Sequence, residues 1–164
     1  DQKKSSKMPE LSSALSGDED IASIKRLEKY AAVYIVGGNN IDKLILPVHG
    51  YGLWSTLYGF LALEGDMDTI VGLGFYSHAE TPGLGGEVDN PKWKSLWVGK
   101  EVFGDQGEIE ISVVKGSAEP GNPYQVDGLS GATLTSRGVH NLVRFWVSDK
   151  AFGGLLDKLK GQGA

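Results

Sequence analysis

Four β-rich or apolar runs, joined in pairs by two tight polar turns, constrain this chain more than any other feature. Ala31–Val36 ends at Gly37-Gly38-Asn39-Asn40, and Lys43–Val48 follows directly. Two such runs around a Gly/Asn turn read as a β-hairpin, because glycine and asparagine reach the backbone angles that a tight turn demands. The next apolar run, through Leu57, Phe60, Ala62 and Leu63, fits helix or strand by periodicity alone. Gly65-Asp66-Met67-Asp68 closes it and leads into the β-rich stretch Thr69–Tyr76, which favours a strand. Consecutive strands joined by short turns pair antiparallel, and no strand–helix–strand alternation is present. The sequence therefore predicts an α+β fold, an antiparallel, meander-like sheet flanked by helices.

The helices are read from apolar spacing. Ile21, Ile24 and Leu27, with Asp18, Glu19 and Asp20 in the first turn, predict a helix over 18–30. Asn90 as cap and Pro91 at the first position predict a short helix that turns Trp93, Leu96 and Trp97 inward. Val139, Leu142, Val143 and Trp146 place a helix over roughly 136–148, with Ser136 or Thr135 as its cap. Phe152, Leu155, Leu156 and Leu159 suggest a terminal helix packing back. Ile109–Val114 reads as a strand and 116–128 as a Gly/Pro loop. Residues 1–17 are polar and read as a flexible N-terminal segment, leaving 18–164 as one domain long enough to bury a core.

Composition excludes several functions. With no cysteine there are no thiolate metal sites, iron–sulfur clusters or disulfides. A net charge of −5 argues against a nucleic-acid surface. His49, His78 and His140 lack metal-ligand spacing. No segment is long and apolar enough to span a membrane. The chain begins at Asp1 and is read as a fragment or processed form of a longer protein. The four tryptophans, Trp54, Trp93, Trp97 and Trp146, are read as packing residues.

Two stretches stand apart. His78–Asn90 is too long and too rich in glycine for a simple turn. Its Gly83-Leu84-Gly85-Gly86 lacks the spacing of a nucleotide-binding loop. Asp127 to Ser136 (Asp-Gly-Leu-Ser-Gly-Ala-Thr-Leu-Thr-Ser) runs into the third helix and places Thr133 in the turn before its N-terminus. The first amides of a helix lack internal partners and carry partial positive charge, so a phosphate is held well there. A Thr hydroxyl at that point can touch a phosphate or carry one. An ordinary capped turn uses the same residues, and Asp127 also suits an Asx-turn. A hydroxyl nucleophile at Thr133 or Ser130 would need a base, and neither a local base nor a G-x-S-x-G elbow is present.

Ser130-Gly131-Ala132-Thr133 resembles the flavinylation motif of FMN-binding domains. Pro47-Val48-His49-Gly50-Tyr51-Gly52-Leu53-Trp54, Glu80-Thr81-Pro82-Gly83-Leu84-Gly85-Gly86-Glu87-Val88 and Asp127–Ser136 occur in the order seen in the C subunit (NqrC) of sodium-translocating NADH:quinone reductases. Phe145-Trp146 and Asp149–Gly153 are also similar to that protein family. The G subunit of the Rnf electron-transport complex shares the Ser-Gly-Ala-Thr and Thr-Pro-Gly-Leu-Gly elements. The resemblance implies FMN joined through its phosphate to Thr133, with Ser130, Gly131 and Ala132 around the attachment and Thr81, Pro82, Gly83 and Leu84 beside the ring. Asp127 would belong to the transferase-recognition motif. It further implies a domain facing the periplasm from the bacterial inner membrane, held by an N-terminal membrane helix absent from this chain. Its partners would be a flavin transferase, using FAD and a divalent metal, and the other subunits of the complex. Electrons would pass from NADH to quinone with sodium transport, and the isolated domain would have no turnover of its own. The alternatives are an Rnf-type G subunit and a flavin-free assembly domain.

Overall fold

The computed structural model describes residues 1–162. Its frame is a four-stranded antiparallel sheet in the order β3 (Tyr34–Gly37), β4 (Ile41–Tyr51), β5 (Thr56–Glu64) and β6 (Ile70–Ser77). The meander is thus the one predicted. Its turns fall at the predicted places, because Gly37 (φ +143°) bulges the first hairpin and Asp66 accepts from the amides of Asp68 and Thr69 in the second. Leu44, Leu46 and Val48 of β4 and Leu57, Leu61 and Leu63 of β5 are fully buried on one face. The long helix α3 (Thr133–Val147) packs there through Val139, Leu142, Val143 and Trp146. Alternate strand residues face one side and i, i+3, i+4 residues form one helix stripe, so two apolar surfaces meet. A short helix α2 (Pro91–Ser95) and the terminal helix α4 (Gly153–Lys160) close the ends. Trp93 and Trp97 are buried beside α2 as predicted, and so is Trp146, whereas Trp54 is 65% exposed.

Two predictions fail for local reasons. Residues 18–30 form no helix. The Asp20 carboxylate accepts from the amides of Ile24 and Lys25 at 2.8 and 2.7 Å, and Ser23 and Lys25 take positive φ (54° and 67°). A side chain that satisfies these backbone donors competes with the helix. The chain continues as β2 (Arg26–Glu28), paired with β1 (Ser12–Ala14). Residues 1–17, expected as a flexible segment, thus contain a strand and a short helix α1 (Gln2–Ser5), where Lys3 Nζ donates to Ser77 Oγ at 2.7 Å. The second failure is the start of α3. The helix begins at Thr133, after Ala132 as cap, so neither Ser136 nor Thr135 caps it. The predicted strand over 109–114 shortens to β7 (Ser112–Val113), which pairs in parallel with β8 (Gln125–Val126) inside the predicted loop.

Helix α3 crosses the β4–β5 turn at Gly138. A Cβ there would sit 2.5 Å from Tyr51 O and 2.8 Å from Gly52 Cα, both backbone atoms. Alanine gains at most about 1 kcal/mol of helix propensity over glycine. Overpacking costs about 1–3 kcal/mol. Because the clash is with main chain, the cost prevails: Gly138→Ala should lower the thermal midpoint by several degrees, and an unchanged midpoint would refute the close crossing.

On the sheet's other face His49 is 2% exposed, stacked on Tyr58 with ring centroids 5.3 Å apart. Its Nε2 lies 3.8 Å from Glu28 Oε1, and neither group has a hydrogen-bond partner there among the described residues. Burial pulls the His49 imidazole down from 6.5 to about 4 and pushes the Glu28 carboxyl up. The unfolded chain binds a proton on His49 below about pH 6.5, which the folded chain resists until about 4. This contribution to stability is therefore complete above that window and is lost as pH falls through it. Glu28 acts in the opposite sense, since the fold favours its protonated form. His49→Phe keeps the ring packing and removes the imidazole. Its melting temperature should fall less than that of the wild type across the window, and parallel profiles would refute the assignment.

Candidate flavin site

Helix α3 and the loop after β6 are held together by one buried carboxylate. Glu80 is 5% exposed. Its Oε1 accepts from the amides of Leu53, Trp54 and Ser55 at 3.1, 3.2 and 3.2 Å, and from Ser55 Oγ at 3.3 Å. Its Oε2 accepts from Thr135 Oγ1 at 3.0 Å. The β4–β5 turn, the loop and the first turn of α3 thus share one hub. Glycine is required around it, since a Cβ at Gly52 would strike Glu80 Oε1 and one at Gly85 would strike Thr135 Oγ1. Glu80 lies inside the glycine-rich stretch, yet the sequence does not single it out as a site residue. A lone acidic residue in a loop gives no sign of the three segments it will join.

The loop is pinned at its other end by His78. The Glu80 amide donates to His78 Nδ1 at 3.2 Å, so the ring proton is on Nε2, which faces Asp89 Oδ2 at 2.7 Å. Thr81 O accepts from the amides of Leu84 and Gly86, and Gly83 takes φ +75°. Thr81, Pro82, Gly83 and Leu84 are exposed on the outside of this turn.

The Ser-Gly-Ala-Thr stretch is shaped by Gly131 at φ +71°, a conformation that suits glycine. A Cβ there would lie 3.2 Å from Leu84 Cδ2, so the two predicted stretches do meet. Ser136 Oγ accepts from the Leu129 amide at 2.8 Å and donates to Ala132 O at 3.0 Å, tying the turn from within. Ala132 is buried, while Ser130 and Thr133 are exposed. Thr133 is the first residue of a helix of 15 residues. Among the described residues no acceptor is found for the amides of Thr133, Leu134 and Thr135. Asp127 makes no Asx-turn. Its Oδ1 accepts from the Ala118 amide at 2.8 Å, nine residues back, and its carbonyl accepts from Trp93 Nε1 at 2.8 Å.

Two hollows flank the motif. The larger, about 440 Å³, lies between Gly83, Trp93, Leu96, Asp127 and Ser130. The smaller, about 210 Å³, lies between Lys115, Leu129, Thr133, Arg137 and His140. Thr133 borders only the smaller of these, and Thr81, Pro82 and Leu84 border neither. His140 Nδ1 accepts from the Val113 amide, and burial, with Arg144 and Arg137 nearby, lowers its pKa.

This three-point frame sets an exposed threonine at a helix start with a glycine loop against it. The FMN-binding domain family matches residues 52–148, more than half of the chain. Curated relatives are named as the C subunit of the Na(+)-translocating NADH-quinone reductase. The protein from Pseudomonas aeruginosa is 58% identical over 161 residues, covering 96% of this chain and 62% of the relative. That from Vibrio anguillarum is 49% identical over 164 residues, covering 99% and 64%. The crystal structure of Shewanella oneidensis NqrC superposes with a TM-score of 0.90 at 39% identity, over 98% of this chain and 74% of that one. The chain belongs to the NqrC family, the C subunits of Na(+)-translocating NADH-quinone reductases, within the FMN-binding domains. It spans somewhat under two thirds of the length of these curated relatives. Among the described residues no helix is long and apolar enough to cross a membrane.

Proposed function

We propose that this chain is the flavin-carrying, electron-relaying part of a sodium-translocating NADH:quinone reductase, with FMN joined through its phosphate to Thr133. The observation that carries this reading is the position of Thr133, an exposed hydroxyl on the first residue of α3, beside three amides with no acceptor among the described residues. The residues fit the group. The helix N-terminus and the guanidinium of Arg137, one turn on, suit a phosphodiester anion. Exposed Leu84 and the glycines around it suit a flat ring that needs close backbone approach.

When bound, FMN supplies the redox chemistry, and the protein supplies attachment and surroundings. Thr133 anchors, Gly131 sets the direction of the anchor, and Ser136 holds the turn. Glu80 fixes the loop of 80–87 against α3. Ser130 and Asp127 frame the larger hollow and present the segment that a flavin transferase would recognise. A covalent link prevents loss of flavin into a dilute exterior, where reversible binding would face almost no free ligand. The partners are the other subunits of the reductase. The domain faces the periplasm, tethered to the inner membrane by a helix outside this sequence, and relays electrons between NADH and quinone only within the complex.

Intact mass under denaturing conditions tests the reading. Protein expressed with an active flavin transferase and FAD should gain the mass of FMN less one water, and protein expressed without it should not. No gain, with a control substrate modified in the same cells, would overturn the proposal and leave a flavin-free interaction domain.

A further inference from the structure

The sheet face turned away from α3 carries a row of aromatic rings beside a buried carboxylate. Register puts Tyr34 opposite Ile45 and Pro47 opposite Phe60, all on that face. The Phe60 ring lies 6.3 Å from that of Tyr34 and 5.6 Å from that of Tyr76, centroid to centroid. All three rings are exposed. With Pro47 and Glu28 they line a hollow of about 200 Å³. The Glu28 side chain is 3% exposed, and neither of its oxygens has a hydrogen-bond partner among the described residues. His49 Nε2, at 3.8 Å, is beyond hydrogen-bond range.

Burial without a partner pushes the Glu28 carboxyl up, and a cation set against it would remove that penalty. The faces of aromatic rings carry negative potential and attract cations. The row already holds one, since Lys3 Nζ stands 5.0 Å from the ring centroid of Tyr58 and 6.0 Å from that of Tyr76. Lys3 donates to Ser77 Oγ, so Glu28 is left to a second cation. Two carboxylate oxygens without donors call for a cation that carries N–H groups. The hollow is smaller than the roughly 300 Å³ at which pockets for drug-sized ligands begin, so it suits an ammonium head on a short alkyl stem.

We propose that Glu28, Tyr34, Phe60 and Tyr76 form a binding site for a primary alkylammonium group, with the cation against the rings and its N–H groups turned to the Glu28 carboxylate. Such a group ends a free amine or a lysine side chain, and the recognising chemistry is the same for both. A protein of net charge −5 draws cations to its surface, which favours this occupant over an anion. The site lies across the sheet from α3 and does not depend on the flavin reading of Thr133.

The test titrates the full chain with n-butylammonium and follows the ring signals of Tyr34, Phe60 and Tyr76 by NMR. These should shift and saturate. The uncharged n-butanol, with the same alkyl stem, should leave them unmoved, and tetramethylammonium, charged but without N–H, should bind more weakly. Glu28→Gln should weaken butylammonium binding by about tenfold or more. It should melt no lower than the wild type, because the fold gives the carboxylate no partner to lose. Phe60→Leu should also weaken binding, while Thr133→Val should not change it. Equal binding by the wild type and Glu28→Gln would overturn the proposal, as would the absence of a saturable shift. Ring shifts of the same size with n-butanol would also overturn it and leave an apolar hollow only. Tighter binding of Nα-acetyl-lysine amide than of butylammonium would support the site with a lysine side chain as the source, and the reverse order would support it with a free amine.

Discussion

Thr133→Val protein, made alongside an active flavin transferase, should run at its polypeptide mass and lose all covalent yellow colour. Valine has nearly the shape of threonine and lacks only the hydroxyl. Thr133 is exposed at the first position of α3, and its side chain makes no hydrogen bond among the described residues. The fold should therefore be indifferent, with the melting temperature unchanged within about a degree, since exposed substitutions of this kind stay within roughly 0.5 kcal/mol. Loss of flavin with an intact fold isolates the chemistry. Thr135→Val is the discriminating control. Thr135 is 1% exposed and its hydroxyl is committed to Glu80, so it cannot be reached by a transferase. That variant should melt lower yet still take up flavin. An adduct that persists in Thr133→Val, or one that vanishes only in Ser130→Ala, would move the attachment elsewhere.

The second large effect is expected at Glu80. Glu80→Ala removes the acceptor of three backbone amides and two hydroxyls. Each unmet buried group costs about 1–3 kcal/mol, more where the lost partner was charged, although the part-exposed turn amides recover some of this from water. A net loss of about 3–4 kcal/mol follows, on the scale seen when one member of a buried charged network is deleted. For a domain of this size that is roughly 6–15 °C in melting temperature. Glu80→Gln should cost far less. The amide oxygen can serve the turn amides, and its NH₂ can donate to Thr135 Oγ1, which reverses its role from donor to acceptor. The pair separates geometry from charge. If Gln restores both stability and flavin uptake, Glu80 works as a strut. Equal loss in both variants would mean that the negative charge itself is needed at the helix start.

Much of the architecture is legible in the sequence because it is local. Gly37-Gly38-Asn39-Asn40 and Gly65-Asp66-Met67-Asp68 dictate where the chain reverses, and alternation in between dictates which face is buried. Asn90-Pro91 starts α2, and the 139–146 stripe orients α3. The motif containing Thr133 is likewise a run of neighbours, so the candidate anchor can be read without knowing the fold. The failures arise where a single residue rewires the backbone. Asp20 satisfies the amides of Ile24 and Lys25 and ends any helix there, while Gly131 at positive φ lets α3 start three residues before the predicted boundary. Neither event leaves a mark in apolar periodicity.

What only the tertiary structure decided is the set of contacts between residues far apart in the chain. Glu80 reaches back 25 to 27 residues to the turn amides and forward 55 to Thr135. Trp93 meets Asp127 across 34 residues. The buried His49 beside Glu28 likewise exists only once the strands have closed. Periodicity and turn chemistry are set by covalent neighbours. A buried carboxylate's partners are set by which segments the packed core happens to leave within three ångströms of it, as the Glu80–Thr135 separation of 3.0 Å shows.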